Sequence, residues 1–168
     1  TLSHIYRFSA FFVIFIIISF VKIQIWYRTS YIFYLAILIL LLAVDFFGVS
    51  ASGSKRWINL FFINLQPSEL MKVALIGFLA RFYYKIPSEN IDNIKYIFTP
   101  ILALFIPVAL VASQPDLGTA VLILFGGLVV IWLTGLRIKY FLYSFFVLIF
   151  LIPVGISLLK PYQKSRIL

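Results

Sequence analysis

The chain has 168 residues, of which 64% are hydrophobic and 11% are charged, and its formal net charge is +9. A soluble domain is about half apolar and about one quarter charged, so these few charges cannot cover a water-facing surface. We therefore expect lipid to be the surrounding solvent. The Lys and Arg residues are scattered without a continuous basic stripe, which argues against a nucleic-acid partner and favours membrane lipids or an anionic lipid-linked substrate.

Apolar runs long enough to cross a bilayer, each about 20 residues, recur along the chain. They predict spanning helices at residues 8–26, 31–48, 67–84, 97–113, 115–136 and 140–159. The sequence thus predicts an all-α fold, a polytopic transmembrane bundle of about six helices in one domain over residues 1–168. Because the chain begins with Thr1 and stops at Leu168 just after a basic segment, we expect both ends to lie inside a longer protein.

Lys and Arg divide almost evenly between the two ends of these predicted spans. The positive-inside rule predicts an excess of cations on the cytoplasmic side only. The even division therefore indicates that the cations on the outer side interact with something anionic. The cations assigned to that side are Arg7, Lys55, Arg56, Lys160, Lys164 and Arg166.

The third predicted helix begins with Gln66-Pro67-Ser68-Glu69 and carries Lys72 one turn later. Pro at the first helical position and an acid in the first turn are typical of a well-capped helix start. However, Lys72 lies three residues after Glu69 on the same face, at a depth where ionisable groups are costly and line polar cavities or pair. We favour a Glu69–Lys72 pair that lines a water-filled groove.

Two further segments allow both a structural and a functional interpretation. Ser113-Gln114-Pro115-Asp116 joins two helices, either as a tight hairpin with Asp116 in the first turn or with Asp116 over the same face as Glu69. Lys55-Arg56-Trp57 lies in the predicted loop at 50–66, either as an interfacial pair with an aromatic anchor or as a phosphate clamp whose ring packs an isoprenoid or a sugar. Lys164 and Arg166 could extend that clamp.

Three smaller features carry expectations of their own. Gly126 and Gly127 are expected to allow close helix packing. Asp45, near a helix end, is expected to be a capping or interfacial residue. The absence of Cys and the single His4 argue against a metal centre built on those residue types.

Several motifs, spaced along almost the whole chain, carry a family resemblance. They are Val44-Asp45-Phe46-Phe47-Gly48, Lys55-Arg56-Trp57-Ile58-Asn59-Leu60, Gln66-Pro67-Ser68-Glu69-Leu70-Met71-Lys72, Gln114-Pro115-Asp116-Leu117-Gly118-Thr119 and Pro161-Tyr162-Gln163-Lys164-Ser165-Arg166. Together they resemble the SEDS family of shape, elongation, division and sporulation proteins. The first of them is more similar to the RodA branch of that family than to the FtsW branch.

The resemblance implies a peptidoglycan glycosyltransferase of the bacterial cytoplasmic membrane, which polymerises lipid II during cell elongation with a class B penicillin-binding protein as partner. It implies a fold of roughly ten helices, of which this chain would supply the N-terminal and middle part without the C-terminal helices. The family's polar cavity corresponds here to Arg56, Glu69, Lys72, Asp116 and Arg166. The family's proposed catalytic aspartate lies in an outer loop beyond Leu168, so the catalytic residue of this chain is unknown.

Glycosyl transfer from a lipid pyrophosphate needs a base for the acceptor hydroxyl and cations for the leaving group. Arg56, Lys72 and Arg166 would supply the cations, and Glu69 would orient Lys72. No ligand cluster requires a metal, although a divalent cation at the pyrophosphate is compatible with this chemistry. An alternative function is a flippase or transporter of lipid-linked precursors, since a charged groove would also suit headgroup passage. A third is a scaffold that binds partner helices.

Overall fold

The computed structural model describes residues 2–51, 54–60, 63–114, 116–143 and 146. Most of these residues are helical, as predicted. The elements, in chain order, are α1 (Leu2–Ser19), α2 (Ile23–Phe47), β1 (Val49–Ala51), β2 (Ser54–Leu60), β3 (Ile63–Leu65), α3 (Pro67–Tyr84), a 3₁₀ turn (Ser88–Asn90), α4 (Ile94–Ser113) and α5 (Leu117–Leu133). Residues 138–143 and 146 are also helical. Most of the predicted sixth span, 140–159, lies outside the described residues.

The break between the first two helices lies at residues 20–22, and not at 27–30 as the spans 8–26 and 31–48 required. The predicted position of the break was wrong because Arg28, Thr29 and Ser30 form a polar run of the kind that is common in loops. The hydroxyl groups of Thr29 and Ser30 are satisfied within the helix: Thr29 Oγ1 donates to the Ile25 carbonyl at 2.8 Å, and Ser30 Oγ donates to the Tyr27 carbonyl at 3.0 Å. Such back-bonding lets small polar residues lie inside a helix.

The predicted loop at 50–66 contains a small antiparallel sheet, so the expectation of an all-α fold was wrong in this segment. The strand order is β1-β2-β3, with Ile58 opposite Leu65 between β2 and β3. At the end of a helical bundle, strand pairing satisfies backbone N–H and C=O groups that would otherwise need water. The sheet contacts α2 and α3, and therefore stays at one end of the bundle.

Helix α3 packs against α2, α4 and α5 and forms the centre of the described bundle. Its bounds are those predicted, because Pro67 begins it and the polar segment after Tyr84 ends it. Met71, Leu75 and Leu79 follow one another at four-residue spacing, on one stripe of the helix, and are fully buried. The facing helices contribute fully buried side chains at Leu41, Leu104 and Ile123.

Helix α5 approaches this stripe closely at Gly127. The expectation of close packing at Gly126 and Gly127 is therefore confirmed for the second of the two glycines. A Cβ atom at Gly127 would lie 2.5 Å from Leu104 Cδ1 and 3.2 Å from Leu75 Cδ2. A Cβ atom at Gly126 would have no neighbour within 4 Å. Gly127 therefore permits close packing, and the same expectation for Gly126 was wrong because the space around that residue is open.

Two prolines lie inside α4, and each frees a carbonyl that a tyrosine of another helix contacts. Pro107 cannot donate to the Ala103 carbonyl four residues earlier, and that oxygen accepts a hydrogen bond of 2.7 Å from the Tyr34 hydroxyl of α2. Pro100 frees the Tyr96 carbonyl in the same way, and the Tyr83 hydroxyl of α3 donates to it at 3.4 Å. Side chains of neighbouring helices thus donate to the carbonyl groups that each proline leaves without a hydrogen bond from within α4.

Two described helices are long and apolar enough to cross a membrane by length and composition, namely residues 23–47 with mean hydropathy 2.3 and residues 95–113 with mean hydropathy 2.1. Residues 117–133 form a shorter apolar helix. Large apolar side chains also point away from the core on these helices, among them Ile32, Phe46, Phe98 and Leu133. Helix α4 begins three residues before its prediction, and α5 covers 117–133 in place of 115–136.

Candidate functional site

Four of the charged residues singled out in the sequence lie at one end of the bundle, beside the small sheet: Arg56, Glu69, Lys72 and Asp116. Helices α2 and α4 end there, at Phe47 and Ser113, whereas α3 and α5 begin there. The N-termini of α3 and α5 both carry the partial positive charge of a helix dipole. The C-termini of α2 and α4 bring partial negative charge to the same end, so the binding of an anion here would depend on the first turns of α3 and α5 and on the cationic side chains beside them.

Asp116 is the centre of the arrangement, and its backbone position differs from the prediction. It is the N-cap of α5 and not a first-turn residue: its Oδ1 accepts from the Thr119 N–H at 3.4 Å. The residue is 8% exposed. Its carboxylate also lies 3.6 Å from the Arg56 guanidinium and accepts a hydrogen bond of 3.2 Å from Gln66 Nε2. One side chain thus connects α5, the sheet and the start of α3.

Arg56 reaches Asp116 from an irregular position on β2. Val49 pairs with Trp57 and the next residue, Ser50, pairs with Lys55, so Arg56 is the extra residue of a bulged strand. A bulge re-aims a side chain and twists the strand locally, and bulges are frequent next to functional sites. The Arg56 side chain is one quarter exposed, so the guanidinium is paired with Asp116 yet still reaches the surface.

Glu69 and Lys72 form the predicted pair on α3, one turn from its N-terminus. Lys72 Nζ lies 2.8 Å from Glu69 Oε2, with the two side chains 29% and 51% exposed. This ion pair is more accessible than the one between Arg56 and Asp116. The structure therefore places two cations, each held by a carboxylate, around the start of α3. Their role in binding a substrate stays a prediction.

Two glutamines, predicted from the sequence only as residues at helix ends, donate hydrogen bonds to the acidic residues of this site. Gln66 Nε2 donates to Asp116 Oδ2 and also contacts Ser68 Oγ at 3.1 Å. Gln114, which is buried, donates to the Leu41 carbonyl at 2.8 Å and to Asp45 Oδ1 at 3.2 Å. Asp45 thus contacts the end of α4. The sequence contained a pattern that could have identified these glutamines. Each precedes a proline, and an acidic residue follows each proline within two positions.

The structure gives less information on three other predicted site residues, Trp57, Lys164 and Arg166. Trp57 is half-buried on β2 beside Arg56, and its proposed contact with a ligand stays a prediction. Lys164 and Arg166 lie outside the described residues. Within the described part of the chain, no three His, Cys, Asp or Glu side chains come together as a metal site would require. The divalent cation considered above therefore stays an expectation about the substrate complex.

The whole chain is similar to a group of known proteins. Residues 2–168 match the profile of the FtsW, RodA and SpoVE family of cell cycle proteins. The peptidoglycan glycosyltransferase MrdB of Helicobacter pylori is 37% identical over 160 residues, which make up 93% of this chain and 42% of that protein.

Two solved structures share the arrangement of these helices. A chain of a peptidoglycan synthase complex, described as coordinating polymerization and crosslinking, superposes with a TM-score of 0.77 and is 33% identical. That match covers 90% of this chain and 45% of the other. The rod shape determining protein RodA of Thermus thermophilus gives a TM-score of 0.69 at 32% identity, over 81% of this chain and 44% of that one. This chain spans less than half the length of each of these three relatives.

Proposed function

The chain belongs to the FtsW, RodA and SpoVE family, and we propose that it forms part of a membrane glycosyltransferase that polymerises lipid II into the glycan strands of peptidoglycan during cell elongation. In this proposal the chain is the N-terminal and middle part of a longer protein. The observation that carries the proposal is the ion pair of Arg56 with the buried Asp116, held where α3 and α5 begin.

The chemistry requires charge stabilisation at the leaving group. In glycan polymerisation an acceptor hydroxyl oxygen attacks the anomeric carbon of a lipid-linked sugar, and the bond from that carbon to the pyrophosphate oxygen breaks. The pyrophosphate departs with the bonding electrons, and a base takes the hydroxyl proton. Arg56 and Lys72, with two helix N-termini, would stabilise the departing negative charge. Asp116 and Glu69 would hold the two cations in position before the substrate arrives.

The proposed base is an aspartate outside this chain, as the family resemblance implied. Asp116 is poorly suited to that role because it caps α5 and already binds Gln66 and Arg56. Glu69 binds Lys72 in the same way. Both carboxylates are therefore assigned to positioning, and Lys164 and Arg166 are proposed to add to the pyrophosphate site.

The setting is proposed to be the bacterial cytoplasmic membrane, with the chain as a multi-pass bundle of about six spans. The apolar outer faces of α2, α4 and α5 support this, since an exposed apolar surface of this extent needs lipid or another protein as cover. The end with the sheet would face outward, where lipid II is used. A class B penicillin-binding protein is the proposed partner, because one structural relative works in a complex that couples polymerization with crosslinking.

The test uses a chimera in which residues 2–168 replace the matching region of the Helicobacter pylori relative. The purified chimera, in detergent with fluorescent lipid II and an active class B penicillin-binding protein, should produce glycan ladders on a gel. Lys72→Ala should abolish the product, whereas Lys139→Ala, at an exposed position outside the site, should leave it unchanged. Residues 1–168 alone should give no product.

The same assay separates this proposal from a flippase, which makes no polymer in detergent. Absence of glycan from a correctly folded chimera would contradict the polymerase proposal. Normal polymer from the Lys72→Ala chimera would contradict the proposed role of that residue. Polymer from residues 1–168 alone would show that the base lies within this chain.

A further inference from the structure

A cavity of about 570 Å³ lies between α2 and α3 at the end of the bundle opposite the sheet. Small-molecule sites commonly have volumes of about 300–1,000 Å³. Its walls are mostly apolar and include Trp26, Phe33, Ile76 and Gly77. Arg81, which also lines it, follows Glu69 by twelve residues, or roughly 18 Å along a helix. The cavity is therefore separate from the site around Arg56 and Asp116.

Arg81 is fixed at this cavity by contacts that leave its charge uncompensated. Its guanidinium carbon lies 4.2 Å from the centre of the Tyr31 ring and 5.1 Å from that of Tyr27, and one terminal nitrogen donates to the Arg28 carbonyl at 2.7 Å. Its Nε is buried without a hydrogen-bond partner in the described part of the chain. Aromatic rings and one carbonyl orient a guanidinium, but they do not neutralise it.

More cations surround the same end. Lys22 immediately precedes α2, Lys85 immediately follows α3, and Arg28 is exposed on α2. Among the described residues, no carboxylate lies within ion-pair distance of these three residues or of Arg81. Asp92, from the following loop, pairs instead with Arg137 at 2.6 Å. The cavity thus combines apolar walls with the guanidinium of Arg81, and each of the other three cations is the sequence neighbour of a residue that lines it.

We propose that this cavity binds one anionic phospholipid of the surrounding bilayer, with an acyl chain between α2 and α3 and the phosphate at Arg81. An apolar slot beneath a guanidinium is complementary to an anionic amphiphile, whereas a zwitterionic phospholipid brings an ammonium group together with its phosphate and adds no net negative charge. Gly77 lies on the wall of this slot opposite Ser30. A Cβ atom added at Gly77 would lie 3.6 Å from Ser30 Cβ, an ordinary contact, so a larger side chain at this position would occupy the slot. This inference requires the membrane setting proposed above but not the polymerase activity.

Trp26 lies on the cavity wall and can report occupancy. In residues 1–168, Trp57→Phe and Trp132→Phe leave Trp26 as the single tryptophan. The protein is reconstituted into phosphatidylcholine vesicles that contain a minor fraction of either brominated phosphatidylglycerol or brominated phosphatidylcholine. We expect the anionic lipid to quench Trp26 fluorescence several-fold more effectively, with the difference shrinking as salt is added.

Two variants and one control complete the test. Arg81→Gln should abolish the preference for the anionic lipid, whereas Lys95→Gln, which removes an exposed cation from the start of α4, should retain it. Gly77→Leu should reduce quenching by both lipids without removing a charge, and circular dichroism checks that each variant is folded. Equal quenching by the two lipids, or a preference that survives Arg81→Gln, would overturn the proposal. Quenching that changes with protein dilution and not with lipid charge would identify a second copy of the chain as the occupant and would also overturn it.

Discussion

Removal of the Tyr34 hydroxyl tests how the bundle tolerates the proline breaks in α4. Tyr34→Phe deletes the donor of the 2.7 Å hydrogen bond to the buried Ala103 carbonyl, which Pro107 cannot satisfy from within the helix. A buried acceptor left without a partner costs about 1–3 kcal/mol, and interhelical hydrogen bonds in membranes average about 0.6 kcal/mol with a maximum near 1.7. We therefore expect about 1 kcal/mol of destabilisation, or roughly 2–4 °C in Tm for a chain of this size.

A double-mutant cycle isolates this hydrogen bond from other effects of the substitution. Pro107→Ala supplies an N–H that can donate to the Ala103 carbonyl, so Tyr34→Phe should cost less than half as much in that background. Tyr31→Phe is the matched control, because Tyr31 lies on the same helix and its ring, not its hydroxyl, makes the contacts with Phe78 and Arg81. Thermal unfolding in detergent, followed by circular dichroism, measures all four variants of the cycle. Equal costs of Tyr34→Phe with Pro107 and with Ala at that position would refute the reasoning.

Three further predictions concern packing at the glycine pair, the cap of α5 and the ion pair on α3. Gly127→Ala should lower the free energy of unfolding by about 1–3 kcal/mol through the clash with α4, whereas Gly126→Ala should be neutral or slightly stabilising, and equal effects in the same unfolding assay would contradict the packing described. Asp116→Ala should cost about 0.5–2 kcal/mol through loss of the α5 cap, and Asp116→Asn should recover most of that stability while glycan synthesis stays impaired; activity equal to wild type in the Asn variant would exclude a need for the charge. Glu69→Gln should change stability by less than about 0.5 kcal/mol yet slow polymerisation by weakening the hold on Lys72, and an unchanged rate would show that the pair has no role in turnover.

The sequence predicted those features that depend on local chemistry. Pro67 and the end of the apolar run at Tyr84 define α3 correctly, and the three-residue spacing of Glu69 and Lys72 predicted their pairing. Both are decided by residues within one or two helical turns, where propensity and spacing are informative. The family resemblance added the position of the candidate site, since those of its motifs that the structure describes lie at the end of the bundle where Arg56 and Asp116 meet.

Contacts between residues far apart in the sequence could not be predicted from the spacing of residues within one helix. Gln66 and Asp116 are 50 positions apart, and their contact exists because α3 and α5 begin at the same end of the bundle. The bulge that re-aims Arg56 depends on the register between two strands within a segment whose Ser and Gly content suggested a loop. Tertiary contacts override local propensity in such places.

We propose that the cations at the sheet end of the bundle stabilise the pyrophosphate leaving group of a lipid-linked sugar. The most direct measurement is the initial rate of lipid II polymerisation by the Helicobacter pylori chimera, with Arg56 intact and with Arg56→Ala, at equal amounts of folded, membrane-inserted protein. We expect glycan from the intact chimera and at least a tenfold lower rate from the variant, since a tenfold change corresponds to about 1.4 kcal/mol of lost transition-state stabilisation. Equal rates from the two proteins would contradict the proposal.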